Sequence, residues 1–336
     1  MSGFVDRMPE TASPELADAI DRIAGFGIAL SARIARGSLA EALGAAHGDI
    51  NSDGDAQKAL DVISDDMARA ALDGSAVRYF ASEEQDHVIQ INPAGTLAMV
   101  IDPLDGSSNI DANLSIGSIF GIFPAAATGD ASVLRPARDL LASGYIIYGP
   151  QCCLILRVGT QGTRKFVLDP DARQFRDLGA VQPIPDEANE YAINASNYRH
   201  WSVAVRSYID DRIAGKGGPL EQDFNMRWVA SLVAETHRIL SRGGIFLYPG
   251  DERKGYERGR LRLVYECGPI GHLVEGAGGR ATDGVRPVLD LVPDGLHART
   301  PFVFGSANKV DRAARHFSRP ENETTALFSK RGLFLS

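Results

Sequence analysis

Apolar positions along this chain fall first into a helical rhythm and then into short continuous runs. Leu16, Ile20, Ile23, Leu30 and Ile34 recur at steps of three to four residues or multiples of them, which predicts an amphipathic helix. A second helix is expected from about Ala56 to Leu72, with Leu60, Ile63, Met67 and Ala70 on its buried side and Asp61 and Asp65 one turn apart on another. The texture then changes. Thr96 to Ile101 is a short apolar run closed by Asp-Pro, as a buried strand would be, and Ser115 to Phe123 reads the same way. Gly144 to Val158 predicts a hairpin turning at Tyr148-Gly149-Pro150-Gln151.

The polar stretch Gln182 to Glu190 is the best linker candidate. Beyond it a helix is expected over Arg227 to Arg242, and strands at Gly244 to Tyr248, Leu261 to Tyr265 and Phe302 to Phe304. Further helices are expected near Pro269 to Gly278 and Val310 to Phe317. Strands and helices mixed in blocks point to a layered α/β architecture. Its parts would be an N-terminal unit over residues 1–185 and a C-terminal unit over residues 186–336.

Composition narrows the function classes. The 336 residues are 44% hydrophobic, enough for a sizeable core, and carry a formal charge of −8. That balance argues against a nucleic-acid partner, which would want a basic stripe. It leaves an anionic small substrate open, because bound cations reverse the local field. The three cysteines, Cys152, Cys153 and Cys267, do not suggest a disulfide framework. No apolar run reaches the roughly 18 residues a membrane span needs, and MSGFVDRMPETASPEL lacks the apolar core of a signal peptide. A cytoplasmic protein is expected. The stretch from Arg319 to Ser336 reads as an exposed tail.

The carboxylates sit at the ends of predicted elements. Asp102 and Asp105 follow the run ending at Ile101, Glu83 and Glu84 follow Val77 to Ala81, and Glu266 follows Tyr265. Asp55 and Asp61 flank the start of the second helix. Strand ends are where open α/β sheets place ligands. Acidic groups meeting there need a cation to stay ionised. Magnesium suits an all-oxygen donor set, whereas zinc would want a Cys/His cluster that is absent: His87, His200, His237, His272 and His297 are scattered. In Asp102-Pro103-Leu104-Asp105-Gly106-Ser107-Ser108-Asn109, two aspartates can reach one metal. Gly106 admits an anion close to the backbone, and Ser107 and Ser108 add donors, so one turn can hold both metal and phosphate.

Asp102-Pro103-Leu104-Asp105-Gly106 resembles the core motif of the metal-dependent sugar phosphatases. Its continuation Ser107-Ser108-Asn109-Ile110-Asp111 resembles class 1 fructose-1,6-bisphosphatase in particular. So do Gly54-Asp55 with Gln57, Leu60-Asp61, Ser82-Glu83-Glu84, the run Gly244 to Pro249 and the run Leu261 to Cys267. The resemblance spans about residues 20 to 310 and implies that family's fold of alternating helix and sheet layers. It implies magnesium, two or three ions per active site with manganese as a substitute, held by Glu83, Asp102, Asp105, Glu266 and the Leu104 carbonyl. Asp55 would lie on a closing loop, and Asp61 with Glu84 would take the proton from the attacking water. Asp105, Gly106, Ser107, Ser108 and Arg262 would hold the reacting phosphate. Asn194 or Asn197, Tyr248, Arg260 and Arg227 would hold the distal one. Arg227 would serve a neighbouring subunit, so a homo-oligomer, dimer or tetramer, is implied.

Several positions depart from the family pattern. Arg260 replaces a usual lysine, and a planar guanidinium fork is not a point charge. Trp228 replaces a tyrosine and can donate only through its ring nitrogen. Both lie by the distal phosphate, so a longer substrate, sedoheptulose 1,7-bisphosphate, stays open, as does the choice between gluconeogenesis and carbon fixation. Pro14 to Asp18 and Thr96-Leu97 stand where AMP-inhibited members carry their nucleotide residues, so weak or absent AMP inhibition is expected. The redox loop of chloroplast forms is missing, which resembles a bacterial form. A non-catalytic phosphosugar sensor would have lost a metal carboxylate, and here all four are acidic.

Overall fold

The structure is a computed structural model that describes residues 3–37, 46–50 and 56–318. The chain begins with α1 (Pro14–Arg36), followed by a short antiparallel pair, β1 (Ala46–Ile50) and β2 (Ala56–Lys58), and α2 (Ala59–Ala71). Eight strands then build one sheet: β3 (Val77–Ser82), β4 (Ile89–Gln90), β5 (Leu97–Asp105), β6 (Ile116–Pro124), β7 (Ala142–Tyr148), β8 (Cys152–Val158), β9 (Arg164–Asp169) and β10 (Gln174–Ala180), with α3 (Gly129–Val133) between β6 and β7. Their spatial order is β10-β9-β8-β7-β6-β5-β3-β4. Only β3 and β5 run parallel; the other pairs are antiparallel.

The second sheet uses β11 (Glu190–Ala192), β12 (Asn225–Met226), β13 (Ile245–Tyr248), β14 (Arg280–Thr282) and β15 (Phe302–Gly305), ordered β12-β11-β13-β15-β14. Its helices are α4 (Val203–Ile213), α5 (Leu232–Arg242), α6 (Gly268–Gly276) and α7 (Ala307–Phe317). The Gln182–Glu190 stretch joins the two sheets.

Strand periodicity sorts side chains into layers. On β7, Ala142, Ile146 and Tyr148 face α1 and α2, while Tyr145 and Ile147 face α5 and α6. On β13, Phe246 joins this inner layer while Ile245 and Leu247 pack on α4 and α7. The result is helices, sheet, helices, sheet, helices. Covered on both faces, β5 and β6 read as continuous apolar runs.

Four sequence expectations are corrected. The second helix starts at Ala59, because residues 56–58 form β2. Its buried side is Leu60, Asp61, Ser64, Asp65 and Ala68 rather than the predicted stripe, and Ala70 is exposed; the helix turns part of its acidic face inward. The helix expected from Arg227 begins only at Leu232, where Ser231 caps it by accepting from the Ala234 N–H. Leu261 to Tyr265 is no strand: Arg262 makes one isolated bridge to Arg299, and Leu263–Cys267 is a π-helical turn. A short apolar run buried on all sides has no periodicity to separate the two states.

The fourth correction bears on the site. β5 does not stop at Ile101. It continues through Asp102, which pairs with Ile119, to Asp105, which pairs with Gly117. Three steps on one strand oppose two on the other, so a bulge lies between the aspartates, and Pro103 sits in it. A Cβ on Gly117 would come 2.4 Å from the Ile146 carbonyl oxygen and 2.7 Å from Val233 Cγ2. Gly117→Ala should therefore lower stability by about 1–3 kcal/mol, read from urea denaturation; an unchanged midpoint would show that the strand yields freely.

Candidate active site

The parallel pairing of β3 with β5, Ser82 opposite Ile101, places the segments that leave both strands side by side. The Glu83 N–H donates to the Ile101 carbonyl at 3.0 Å, which sets Glu83 and Glu84 beside Asp102. Glu266 arrives from the π-helical turn. Asp102, Asp105 and Glu266 are all buried, and each offers a carboxylate oxygen within 4.8 Å of the others.

At that separation each ionised pair costs roughly 3–4 kcal/mol with an effective dielectric near 20. Three pairs would cost about 10 kcal/mol, comparable with the roughly 5–15 kcal/mol that holds a domain together. The carboxyls respond accordingly. Burial, with Glu83, Asp105, Glu266 and Glu84 adding repulsion, pushes Asp102 well above the usual range. Burial and Glu83 raise Glu266, with Arg262 opposing. Asp105 is pushed only to about 6, because three donors at the α5 N-terminus offset its burial. These are Ser231 Oγ at 3.0 Å, the Leu232 N–H at 3.3 Å and the Val233 N–H at 2.9 Å. Asp102 accepts the Leu104 N–H at 3.0 Å.

Arg262 supplies the positive charge recorded at this cluster. Its Nη1 lies 2.9 Å from Glu83 Oε1, and its N–H donates to Glu266 Oε2 at 2.6 Å. Set against four acids, the donor set of buried carboxylates, with no Cys or His among the three that converge, fits hard divalent cations. Leu104 lies buried in the bulge between the two aspartates.

The turn after Asp105 is built on Gly106, at φ +79°, where a Cβ would also come 3.0 Å from Ser231 Cβ. Conformation and space both demand glycine there. Ser107 is half-buried and Ser108 exposed, and Asn109 Nδ2 donates to the carbonyls of Val229 and Ala230 at 3.3 and 3.1 Å. Asp61 is buried in the first turn of α2, and Gln85 Nε2 donates to Asp65 Oδ2 at 2.6 Å, binding that helix to the Glu83-Glu84 segment. Asp55 lies outside the described residues.

Of the residues expected at the distal phosphate, Trp228 and Tyr248 pack together, Arg260 and Asn197 share the neighbourhood of Arg253 and Tyr256, and Asn194 and Arg227 have other partners. Burial raises the Tyr248 phenol above its ordinary value, with the Arg260 guanidinium opposing. Trp228 stacks on Phe246 at 6.0 Å between ring centres and tilts against Tyr248 at 6.2 Å. Arg260 and Arg253 flank the Tyr256 ring at 5.3 and 4.2 Å, and Arg253 Nη2 donates to Asn197 Oδ1 at 3.0 Å. Asn194 instead caps its own turn, accepting from the Ser196 N–H and Oγ. Arg227 is half-exposed and pairs with Glu190 at 3.4 Å. Arg253, Tyr256 and Ser231 escaped the sequence reading, because loop residues and a helix cap carry no periodic signal.

Comparison with known proteins agrees with this architecture. Two family models match: the fructose-1-6-bisphosphatase N-terminal domain over residues 10–178 and the C-terminal domain over residues 184–318. A class 1 fructose-1,6-bisphosphatase of Cereibacter sphaeroides (strain ATCC 17025) is 59% identical over 328 residues, 98% of each chain. A class 1 fructose-1,6-bisphosphatase of Rhodobacter capsulatus is 57% identical over 324 residues, 96% of this chain and 97% of that one. The crystal structure of Leishmania major fructose-1,6-bisphosphatase in holo form superposes with a TM-score of 0.85 at 32% identity, covering 91% of this chain and 96% of that one. Two matched domains, high identity along nearly the whole length and a shared fold place this chain in the fructose-1,6-bisphosphatase family.

Proposed function

We propose that this chain hydrolyses the 1-phosphate of fructose 1,6-bisphosphate, giving fructose 6-phosphate and phosphate, with magnesium held by Glu83, Asp102, Asp105, Glu266 and the Leu104 carbonyl. The observation that carries it is the convergence of three buried carboxylates beside the Gly106 to Ser108 turn. When bound, magnesium neutralises phosphoryl charge and makes a water more acidic.

The chain's own groups do the rest. Glu84, with Asp61, accepts the proton of the attacking water. Gly106, Ser107 and Ser108 hold the phosphoryl group, and Arg262, fixed by Glu83, balances its charge. Asn197, Tyr248, Arg260 and Arg227 receive the 6-phosphate, the contact with Arg253 favouring Asn197 over Asn194. The resemblance assigns Asp55 a further share in the catalytic step.

A second substrate, sedoheptulose 1,7-bisphosphate, rests on Trp228 and Arg260 in the distal wall. The division near residue 185, a homo-oligomer using Arg227 across subunits, a cytoplasmic location and service in gluconeogenesis or carbon fixation complete the reading. Among the described residues, no helix is long and apolar enough to cross a membrane.

Magnesium-dependent phosphate release compared on the two purified bisphosphates tests the substrate; release from neither would end the reading. Glu84→Gln should lower kcat by about 100-fold or more while magnesium binding, followed by calorimetry, stays near that of the parent. AMP should not inhibit at sub-millimolar concentration.

The cluster also sets a pH dependence. Unfolded aspartates lose their protons near pH 4, whereas folded, cation-free Asp105 keeps its proton to about 6. The raised value means the cluster's contribution to stability is greatest below about pH 4 and is lost as pH rises through about 6. In EDTA, Asp105→Asn should thus gain stability over the parent as pH rises from about 4 to 7, and magnesium should close the gap. A gap independent of pH, by urea denaturation, would contradict this.

A further inference from the structure

A fully buried carboxylate lies outside the metal cluster. Glu235, in the first turn of α5, has no exposed side-chain surface, and its Oε1 accepts the Val229 N–H at 2.7 Å. Its Oε2 takes Arg238 Nη2 at 3.0 Å and Nε at 3.2 Å. Arg238 Nη1 reaches Glu190 Oε2 at 2.7 Å, and the other oxygen of Glu190 takes Arg227 Nε at 3.4 Å. Exposure rises along this path from 0% at Glu235 through 14% at Arg238 and 18% at Glu190 to 51% at Arg227.

The backbone joining the ends is held under tension. Ala230 adopts φ +62°, a left-handed conformation that strains a non-glycine residue. Glu235 grips this turn at Val229 N–H, and Asn109 grips it at the Val229 and Ala230 carbonyls. The Arg227 N–H is meanwhile fixed to the Tyr191 carbonyl at 2.8 Å. A helix start would be capped without any of this, since Ser231 already performs that task. Burying an ionised carboxylate is costly unless it is paired and hydrogen-bonded, and here both of its oxygens are committed to holding one turn and one guanidinium.

We propose that Glu235 and Arg238 are positioning residues for Arg227: they fix the 227–231 turn and orient Glu190, so that the Arg227 guanidinium is presented in one pose to the distal phosphate. This rests on the reading of Arg227 as a ligand of that phosphate. The pair acts on binding of the bisphosphate rather than on the chemical step, because it touches neither the carboxylate cluster's acids nor the Gly106 to Ser108 turn directly. Asn109 and Ser231 join the Asp105 to Asn109 turn to the same segment.

The test uses the full-length enzyme with magnesium and fructose 1,6-bisphosphate. Glu235→Gln and Arg238→Met are made alone and with Arg227→Ala, and kcat, KM and the melting temperature are measured for each. Glu235→Gln keeps an acceptor for the Val229 N–H, and Arg238→Met leaves the Glu235–Val229 hydrogen bond in place while removing the guanidinium, so the two disturb folding differently. Each single change should raise KM about fivefold with kcat within about twofold, the effect of weakening rather than losing one charged hydrogen bond in binding. In the Arg227→Ala background neither should raise KM further, since the shared path is already cut. An unchanged KM in both single variants, or an equal rise with Arg227 absent, overturns the proposal while leaving the distal-phosphate reading intact. An unchanged KM in Arg227→Ala alone overturns that reading and the proposal with it.

Discussion

The structure depends on a concentration of buried negative charge at the seam between the two sheets. Four carboxylates come from three places: Glu83 after β3, Asp102 and Asp105 from the β5 bulge, and Glu266 from a π-helical turn. Their mutual repulsion rivals the folding free energy of a domain, while Arg262 supplies a single unit of opposing charge. An enzyme that handles phosphoryl groups can use such a deficit, because the cations that relieve it also neutralise the substrate.

Asp105 shows how this cost is spread through the fold. It faces its fellow acids on one side and the N-terminus of α5 on the other, taking a hydroxyl and two backbone N–H groups from that helix. α5 lies between the sheets and packs on both, so one carboxylate links the first sheet to the element that begins just after Arg227 and Trp228. The turn that follows Asp105 makes the same connection through Asn109. The carboxylate cluster and the segment that carries Arg227 and Trp228 are thus joined by hydrogen bonds rather than by chain proximity.

Much of this was legible in the residues. The strands Thr96 to Ile101 and Ser115 to Phe123 and the β7–β8 hairpin stand close to where their apolar runs put them, since continuous apolar runs demand cover on two faces. The Asp-Pro-Leu-Asp-Gly-Ser-Ser segment pointed to converging acids, and Asp102 and Asp105 do meet Glu266. α2 misled because buried Asp61 and Asp65 look like solvent-facing positions to a pattern that assigns polarity to water. Leu261 to Tyr265 misled because an apolar run enclosed on every side carries no period.

Local chemistry in the chain by itself determined the helical first segment, the buried strands, the acidic inventory and the glycine of the phosphate turn. Each depends on neighbours a few residues away. Only the tertiary structure decided that β5 bulges rather than ends at Ile101, that Glu266 reaches the cluster from a π-helical turn, and that Asn197 rather than Asn194 contacts Arg253. It alone decided that Glu235 and Arg238 stand behind Arg227. These facts are distances between residues remote in sequence, and such distances are set by how layers pack, which no local pattern of side chains encodes.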